Sequence, residues 1–383
     1  MSSSPSLTSR IRGSFLGLAV CDALGAPAEF CVRGSFPTIT GMQANPNFGL
    51  GPGYFTDDTS MALCLARSFL EHGPGTNSVD QARKYLAWYR GGYQSSTGKC
   101  FDIGNLTREA LGVWRHAVIV DDTYGESAKS PHPSRSQAAI QSALTTIDSR
   151  FNQDRYCGNG SLMRVLPTAL LFGQDDPTAT KAAADSSRVT HPHPRCVLCC
   201  ALYTILVARA LQEPNLTKDS LVGYISDYVS AVRGKIEVST SSKSKSKSES
   251  ASAPFVDRFQ PYATLSSFHN KPAAEIRSSG YVVDSLEAAL WAFFTTSSFR
   301  EGAVKVVNLG DDADTVGAIY GGLAGAFYGD EEIPSEWLRD MKRLDLVEDI
   351  VREIVMVRSK DDKGHVVGGV KEGIQASVNV LGL

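Results

Sequence analysis

Asp284-Ser285-Leu286-Glu287-Ala288-Ala289-Leu290-Trp291-Ala292-Phe293-Phe294-Thr295-Thr296 is the stretch whose spacing decides the fold. Leu286, Leu290, Phe293 and Phe294 make one apolar face of a helix. Asp284, with Glu287 three residues on, has the form of a capping box that starts such a helix. The same period recurs outward in both directions. Towards the C-terminus, a helix is expected over Asp314–Tyr328, with Gly317, Gly321 and Gly325 at intervals of four. Towards the N-terminus, helical spacing appears near Cys196–Leu211, Leu162–Leu171, Ser136–Ser149, Leu106–His116 and Gln81–Tyr89. Asp58–His72 presents Met61, Leu65 and Phe69, with Asp58 or Thr59 as its cap and Gly73 as its stop. Ile11–Leu24 opens the series, and its Gly13 and Gly17 imply close approach by another helix. Alternating β-branched runs are nearly absent, so the expected class is all-α.

Two regions break the pattern. Residues 31–55 are rich in Gly, Pro and Asn, the composition of an irregular loop. Residues 239–252 (STSSKSKSKSESAS) are polar and low in complexity, and lack an apolar face to repay their ordering entropy. They are expected to be a disordered insertion within one domain of residues 10–350, because acidic clusters that need to meet lie on both sides. Residues 1–9 and 359–383 are expected to be flexible ends.

The 383 residues are 42% apolar, enough for a large core, and the formal charge of −3 gives no electrostatic case for nucleic-acid binding. No run of 18 apolar residues suggests a membrane span, and the polar start does not resemble a secretory signal. The eight cysteines have no framework spacing; Cys196, Cys199 and Cys200 read as small apolar residues of a buried helix. A reducing, intracellular setting is expected, cytoplasmic or nuclear, with the chain as a monomer.

Chemistry concentrates in two acidic clusters, Thr56-Asp57-Asp58-Thr59 and Asp311-Asp312-Ala313-Asp314-Thr315. A single Asp before a helix is ordinarily a cap. Three within four residues, behind the apolar run of Val304, Val306, Val307 and Leu309, are harder to explain so. Grouped at the edge of a core they repel one another unless cations neutralise them. Hard divalent ions take carboxylate and hydroxyl oxygens, and Glu29 could add another. Gly158-Asn159-Gly160-Ser161 could turn backbone N–H groups towards a diphosphate, although such turns are often only turns. Asp102 could meet a ligand hydroxyl or cap a helix, and His191 and His193 read without context as surface residues.

In order along the chain, these segments resemble the ADP-ribosylglycohydrolase family. The matching residues are Gly17, Asp22-Ala23-Leu24-Gly25 and Glu29, Phe55-Thr56-Asp57-Asp58-Thr59, Phe101-Asp102-Ile103-Gly104, Gly158 to Arg164, Thr190-His191-Pro192, Gly280 to Val283, Leu286 to Trp291, and Asn308 to Thr315. The Gly-Asp-Asp-Ala-Asp-Thr form is similar to the family's bacterial, arginine-directed branch. Cys21 and Asp284 depart from the residues common there, without touching a proposed ligand.

The resemblance implies a single compact orthogonal helical bundle with two Mg²⁺ or Mn²⁺ ions in a central cleft. It implies Thr56, Asp57, Asp58, Asp312, Asp314 and Thr315 as ligands, with Asp57 and Glu29 as candidates for activating water or protonating the leaving group. Asp102, Gly158, Asn159, Gly160, Ser161, Met163, His191 and Tyr281 would line the ADP-ribose pocket. The implied reaction hydrolyses the bond at C1″ of ADP-ribose in a modified protein or a small ADP-ribose derivative. Arginine is the leading acceptor; serine-linked, acetyl-linked and nucleic-acid-linked ADP-ribose are its rivals. A non-catalytic ADP-ribose binder and a di-metal phosphoesterase stand as alternatives of other classes.

Overall fold

Two helices without room for side chains between them organise the molecule. In the computed structural model, which describes residues 4–74, 77–124, 133–240, 247–361 and 370–382, Leu7–Gly25 runs antiparallel to Ala313–Tyr328. Gly13 faces Gly325, Gly17 faces Gly321, and Gly25 meets Ala313. A Cβ at Gly17 would overlap the Gly321 carbonyl oxygen, and one at Gly325 the Gly13 carbonyl oxygen. Only hydrogen fits there. Ser14 fastens the pair by donating its hydroxyl to Gly322 O at 2.7 Å. The consequence lies at one end: Asp22, late in the first helix, arrives beside Asp314, early in the second.

The other helices pack around this pair. Asp57–His72 and Pro194–Gln212 touch it directly, and Val282–Phe294 lies against Ala313–Tyr328. Pro194–Gln212 is long and apolar enough to cross a bilayer, but 94% of that stretch is buried inside the protein as a core helix. Cys196, Cys199 and Cys200 are buried free thiols on it, in keeping with the apolar reading. Among the described residues there is no strand, only the isolated bridges Asn45–Leu50 and Gly158–Tyr281. The all-α expectation holds.

Several local expectations change. Leu162–Leu171 is not one helix: Pro167 has no N–H to give, so the helix is confined to Pro167–Phe172 and residues before it form turns. The cap of Asp57–His72 is Thr56, whose side chain makes no capping bond because it faces the carboxylates. Asp284 and Glu287 form no capping box; the helix starts at Val282, and both carboxylates accept from Arg258, at 2.8 and 2.6 Å.

Helical structure also reaches further into the polar regions than composition suggests. Lys218–Thr240 and Lys247–Phe259 take in residues 239–240 and 247–252, while 241–246 lie outside the described residues. Phe255, Val256 and Phe259 anchor the second of these helices in the core. Leu344–Asp361 crosses the expected boundary at 350, with Ile354 buried, and the described part of the C-terminal stretch is helical over Val370–Asn379. Ile374, Val378 and Leu381 are buried there, so the apolar period of that stretch outweighs its position near the end of the chain.

Candidate active site

Asp22 sets the geometry. One of its oxygens accepts from the Thr56 N–H at 2.9 Å and hydroxyl at 2.8 Å. The other accepts from the Thr59 N–H at 3.0 Å and hydroxyl at 2.6 Å. Four donors on one carboxylate pin the first turn of Asp57–His72 to the glycine-packed pair, and Asp57 and Asp58 are carried towards Asp314. Ligand-type oxygens of Asp57, Asp102 and Asp314 lie within 4.8 Å of one another, as do those of Glu29, Asp312 and Asp314. Asp22, Asp58 and Asp314 form a third such group, but the oxygens of Asp22 are already committed to Thr56 and Thr59.

This cluster is short of hydrogen-bond donors. The Thr56 hydroxyl has one proton for three carboxylates, Asp22 at 2.8 Å, Asp58 at 3.1 Å and Asp314 at 3.3 Å. Glu29 Oε2, Asp58 Oδ1 and Asp314 Oδ1 are buried with no hydrogen-bond partner. Burial first, then the neighbouring Asp102 and Asp312, push the Glu29 carboxyl up to about 10. Burial and like charge hold Asp57, Asp58 and Asp314 well above the ordinary carboxylate range, and burial pushes Asp102 up to about 6. Unpartnered buried carboxylate oxygens carry a large desolvation cost unless a cation meets them. An all-oxygen set suits a hard divalent ion, so the residues fit Mg²⁺ or Mn²⁺.

Beside the carboxylates opens a cavity of 360 Å³. Its wall includes Glu29, Asp57, Asp102, Gly158, Asn159, Gly160, Met163, His191, Asp312, Asp314 and Thr315. Residues from six separate stretches of chain meet there. Thr56 and Asp58 lie buried among the same carboxylates rather than on the wall. Ser161 and Tyr281 do not line the cavity: the Ser161 hydroxyl accepts from Ser187 at 2.9 Å, inside the protein. Tyr281 bridges to Gly158, the Asn159 N–H is taken by Gly280 O at 3.1 Å, and Cys157 O accepts from Val282 N at 3.0 Å. These bonds shape the glycine loop from behind. Asn159 Nδ2 in turn donates to Asp312 at 2.6 Å and to Ser285 at 2.9 Å, orienting that carboxylate.

His191 and His193 are buried, not on the surface. Pro192 breaks the chain between them and sends them to different neighbours. His193 pairs with Asp154 at 3.2 Å, away from the cavity, whereas His191 packs on Gly158 and Gly160. Burial, with Arg164 nearby, pushes the His191 imidazole down to about 3, so it is neutral near pH 7. Arg164 donates to the Thr190 hydroxyl at 2.7 Å, and that hydroxyl lies 2.7 Å from His191 Nδ1. Thr190 fixes the ring through Nδ1 and leaves Nε2 facing the glycines. The glycine loop thus has a neutral imidazole nitrogen beside it.

Sequence reasoning gave no role to Asp22 or to Thr107, which lies against Gly160. Asp22 had a signal, its place in the Asp-Ala-Leu-Gly motif. Thr107 had none.

A sequence model of the ADP-ribosylglycohydrolase family matches residues 3–364. The ADP-ribosylarginine hydrolase Tri1 of Pseudomonas putida is 31% identical, over 90% of this chain and 77% of its own. Tri1 of Serratia proteamaculans is 32% identical, over 92% and 81%. The ADP-ribosyl-[dinitrogen reductase] glycohydrolase of Rhodospirillum rubrum is 28% identical, over 88% and 92%. A solved ADP-ribosylglycohydrolase-related protein complex is similar in fold, with a TM-score of 0.67 and 30% identity, covering 92% of this chain and 99% of that one. The chain belongs to the ADP-ribosylglycohydrolase family, a family of hydrolases.

Proposed function

We propose that this ADP-ribosylglycohydrolase releases ADP-ribose from ADP-ribosylated arginine on proteins, using two Mg²⁺ or Mn²⁺ ions. The observation that carries the reading is the convergence of buried, unpartnered oxygens of Glu29, Asp58 and Asp314 beside a cavity with a glycine loop on its wall. The similarity to arginine-directed hydrolases at 31–32% identity supports the acceptor.

Thr56, Asp57, Asp58, Asp312, Asp314 and Thr315 would hold the ions, with Glu29 close by. When bound, they supply Lewis acidity towards the ribose hydroxyls and a water. The chain's own residues do the rest. Gly158, Gly160 and His191 receive the diphosphate, and Asp102 faces the ribose. Asp57 takes a proton from the water that adds to C1″. Glu29 gives a proton to the acceptor nitrogen as the C1″–N bond breaks. The carboxylates stabilise the positive charge that builds on the ribose as this happens.

The test is a panel of arginine-linked, serine-linked and acetyl-linked ADP-ribose, each with Mg²⁺, with Mn²⁺ and with chelator. Intact ADP-ribose should appear from the arginine-linked substrate and disappear with chelator. Release of AMP would show a phosphoesterase, and tight ADP-ribose binding without turnover a binder.

A further inference from the structure

On the cavity wall, Phe30 has a backbone conformation unusual for a bulky residue. Phe30 follows Glu29 directly, yet the two side chains part. Glu29 is buried among the carboxylates, whereas Phe30 is 67% exposed on the wall of the same cavity. The backbone of Phe30 has φ of 62°, a left-handed conformation that a bulky residue rarely adopts. It is held there from outside. The Phe30 N–H donates to Asp311 O at 2.7 Å, and the Asp311 N–H donates to Cys31 O at 2.7 Å. Asp311, itself at φ of 60°, immediately precedes Asp312, so Phe30 is locked to the loop that carries a proposed ligand.

Packing does not explain this ring, because most of it faces solvent. Backbone strain that serves no core tends to sit at a functional site, where the surroundings impose it. The position indicates the function. His191 and Thr107 surround Gly160 at the diphosphate end of the cavity. Phe30 is on the wall of the same cavity, one residue from a carboxyl that interacts with Asp102, Asp312 and Asp58. Under the proposed mechanism Glu29 meets the acceptor nitrogen, and Phe30 is its chain neighbour on the same wall.

We propose that Phe30 is the acceptor-recognition residue. The face of its ring stacks on the planar, cationic guanidinium of ADP-ribosylated arginine, and so favours that linkage over the neutral serine O-glycoside and acetyl ester. This rests on the arginine reading above.

Phe30→Leu keeps the apolar bulk and removes the π face; Phe30→Trp keeps both. With an arginine-linked protein substrate, Phe30→Leu should raise KM roughly five- to thirty-fold with kcat little changed, and Phe30→Trp should stay within about twofold of the wild type. ADP-ribose, which lacks the acceptor, should bind both variants with unchanged Kd by calorimetry. Val32→Ala, 75% exposed on the same loop but off the cavity wall, is the control and should leave KM unchanged. A wild-type KM in Phe30→Leu overturns the proposal. So does a parallel loss of ADP-ribose affinity, which would put the ring on the nucleotide. If the wild-type enzyme fails to cleave the arginine-linked substrate, the arginine reading itself falls, a result visible before any substitution is made.

Discussion

The hydroxyl of Thr56 lies 3.3 Å from the carboxylate of Asp314, across 258 residues of chain. The two acidic stretches therefore share one buried space. Asp57 is part of it too, with a carboxylate oxygen within 4.8 Å of those of Asp102 and Asp314. Two like-charged helix starts meet only if something outweighs their repulsion, and the glycine-packed pair Leu7–Gly25 and Ala313–Tyr328 provides that through close backbone contact.

Asp314 belongs to every oxygen group of the cluster, and Asp312 is held by Asn159. Asp312→Asn and Asp314→Asn should each lower turnover about a hundredfold or more and weaken ion binding, with helicity unchanged. Rates are compared with bound metal measured by mass spectrometry. Native turnover in either variant would refute the ligand assignment.

Without metal, the cluster should make the protein less stable as pH rises. The carboxyls of Glu29, Asp57, Asp58 and Asp314 titrate above their unfolded values, so the folded state binds more protons than the unfolded one between about pH 4 and the folded values, about 10 for Glu29. The stability held below that window is lost as pH climbs through it. In chelator, Tm should fall from pH 5 to pH 8. Added Mg²⁺ or Mn²⁺ should flatten the slope, and a Tm that rises over this range in chelator would count against the buried repulsion.

Asn159 touches both the cavity and Asp312. Asn159→Ala removes the amide that holds Asp312 at 2.6 Å, and Mn²⁺ affinity should drop about 10- to 100-fold by titration. Adding the loss of a pocket residue, the variant should also bind ADP-ribose more weakly. Unchanged Mn²⁺ affinity would mean that the 2.6 Å bond does not orient the ligand.

Asp22 accepts from four donors, two of them backbone N–H groups at the start of Asp57–His72. Asp22→Asn replaces one acceptor oxygen with an NH₂ that faces donors, orphaning two of the four. The stability cost should be about 2–4 kcal/mol, read as a shift in denaturant midpoint. Metal affinity should fall with it, because the turn carrying Asp57 and Asp58 loses its clamp.

The all-α class was legible in apolar period alone, since Leu286, Leu290, Phe293 and Phe294 leave no alternative to a helix face. Both acidic clusters were legible as well, because carboxylates behind apolar runs are conspicuous in one dimension. Helix starts were read less well. Asp284 and Glu287 look like a cap in sequence, but Arg258 lies 26 and 29 residues away and takes them both. Ser161 and Tyr281 sit within the matching motifs, yet side-chain direction in an irregular turn depends on what packs behind it.

By itself, the sequence determined the all-helical class and where charge is concentrated, because period and composition are local properties of the chain. Only the tertiary structure decided which oxygens face one another, that His191 is buried and neutral, that the C-terminal helix docks, and that Phe30 stands in the cleft with a strained backbone. Those outcomes depend on contacts between residues hundreds of positions apart, such as Gly13 with Gly325 and Phe30 with Asp311, and no local pattern encodes the distance between them.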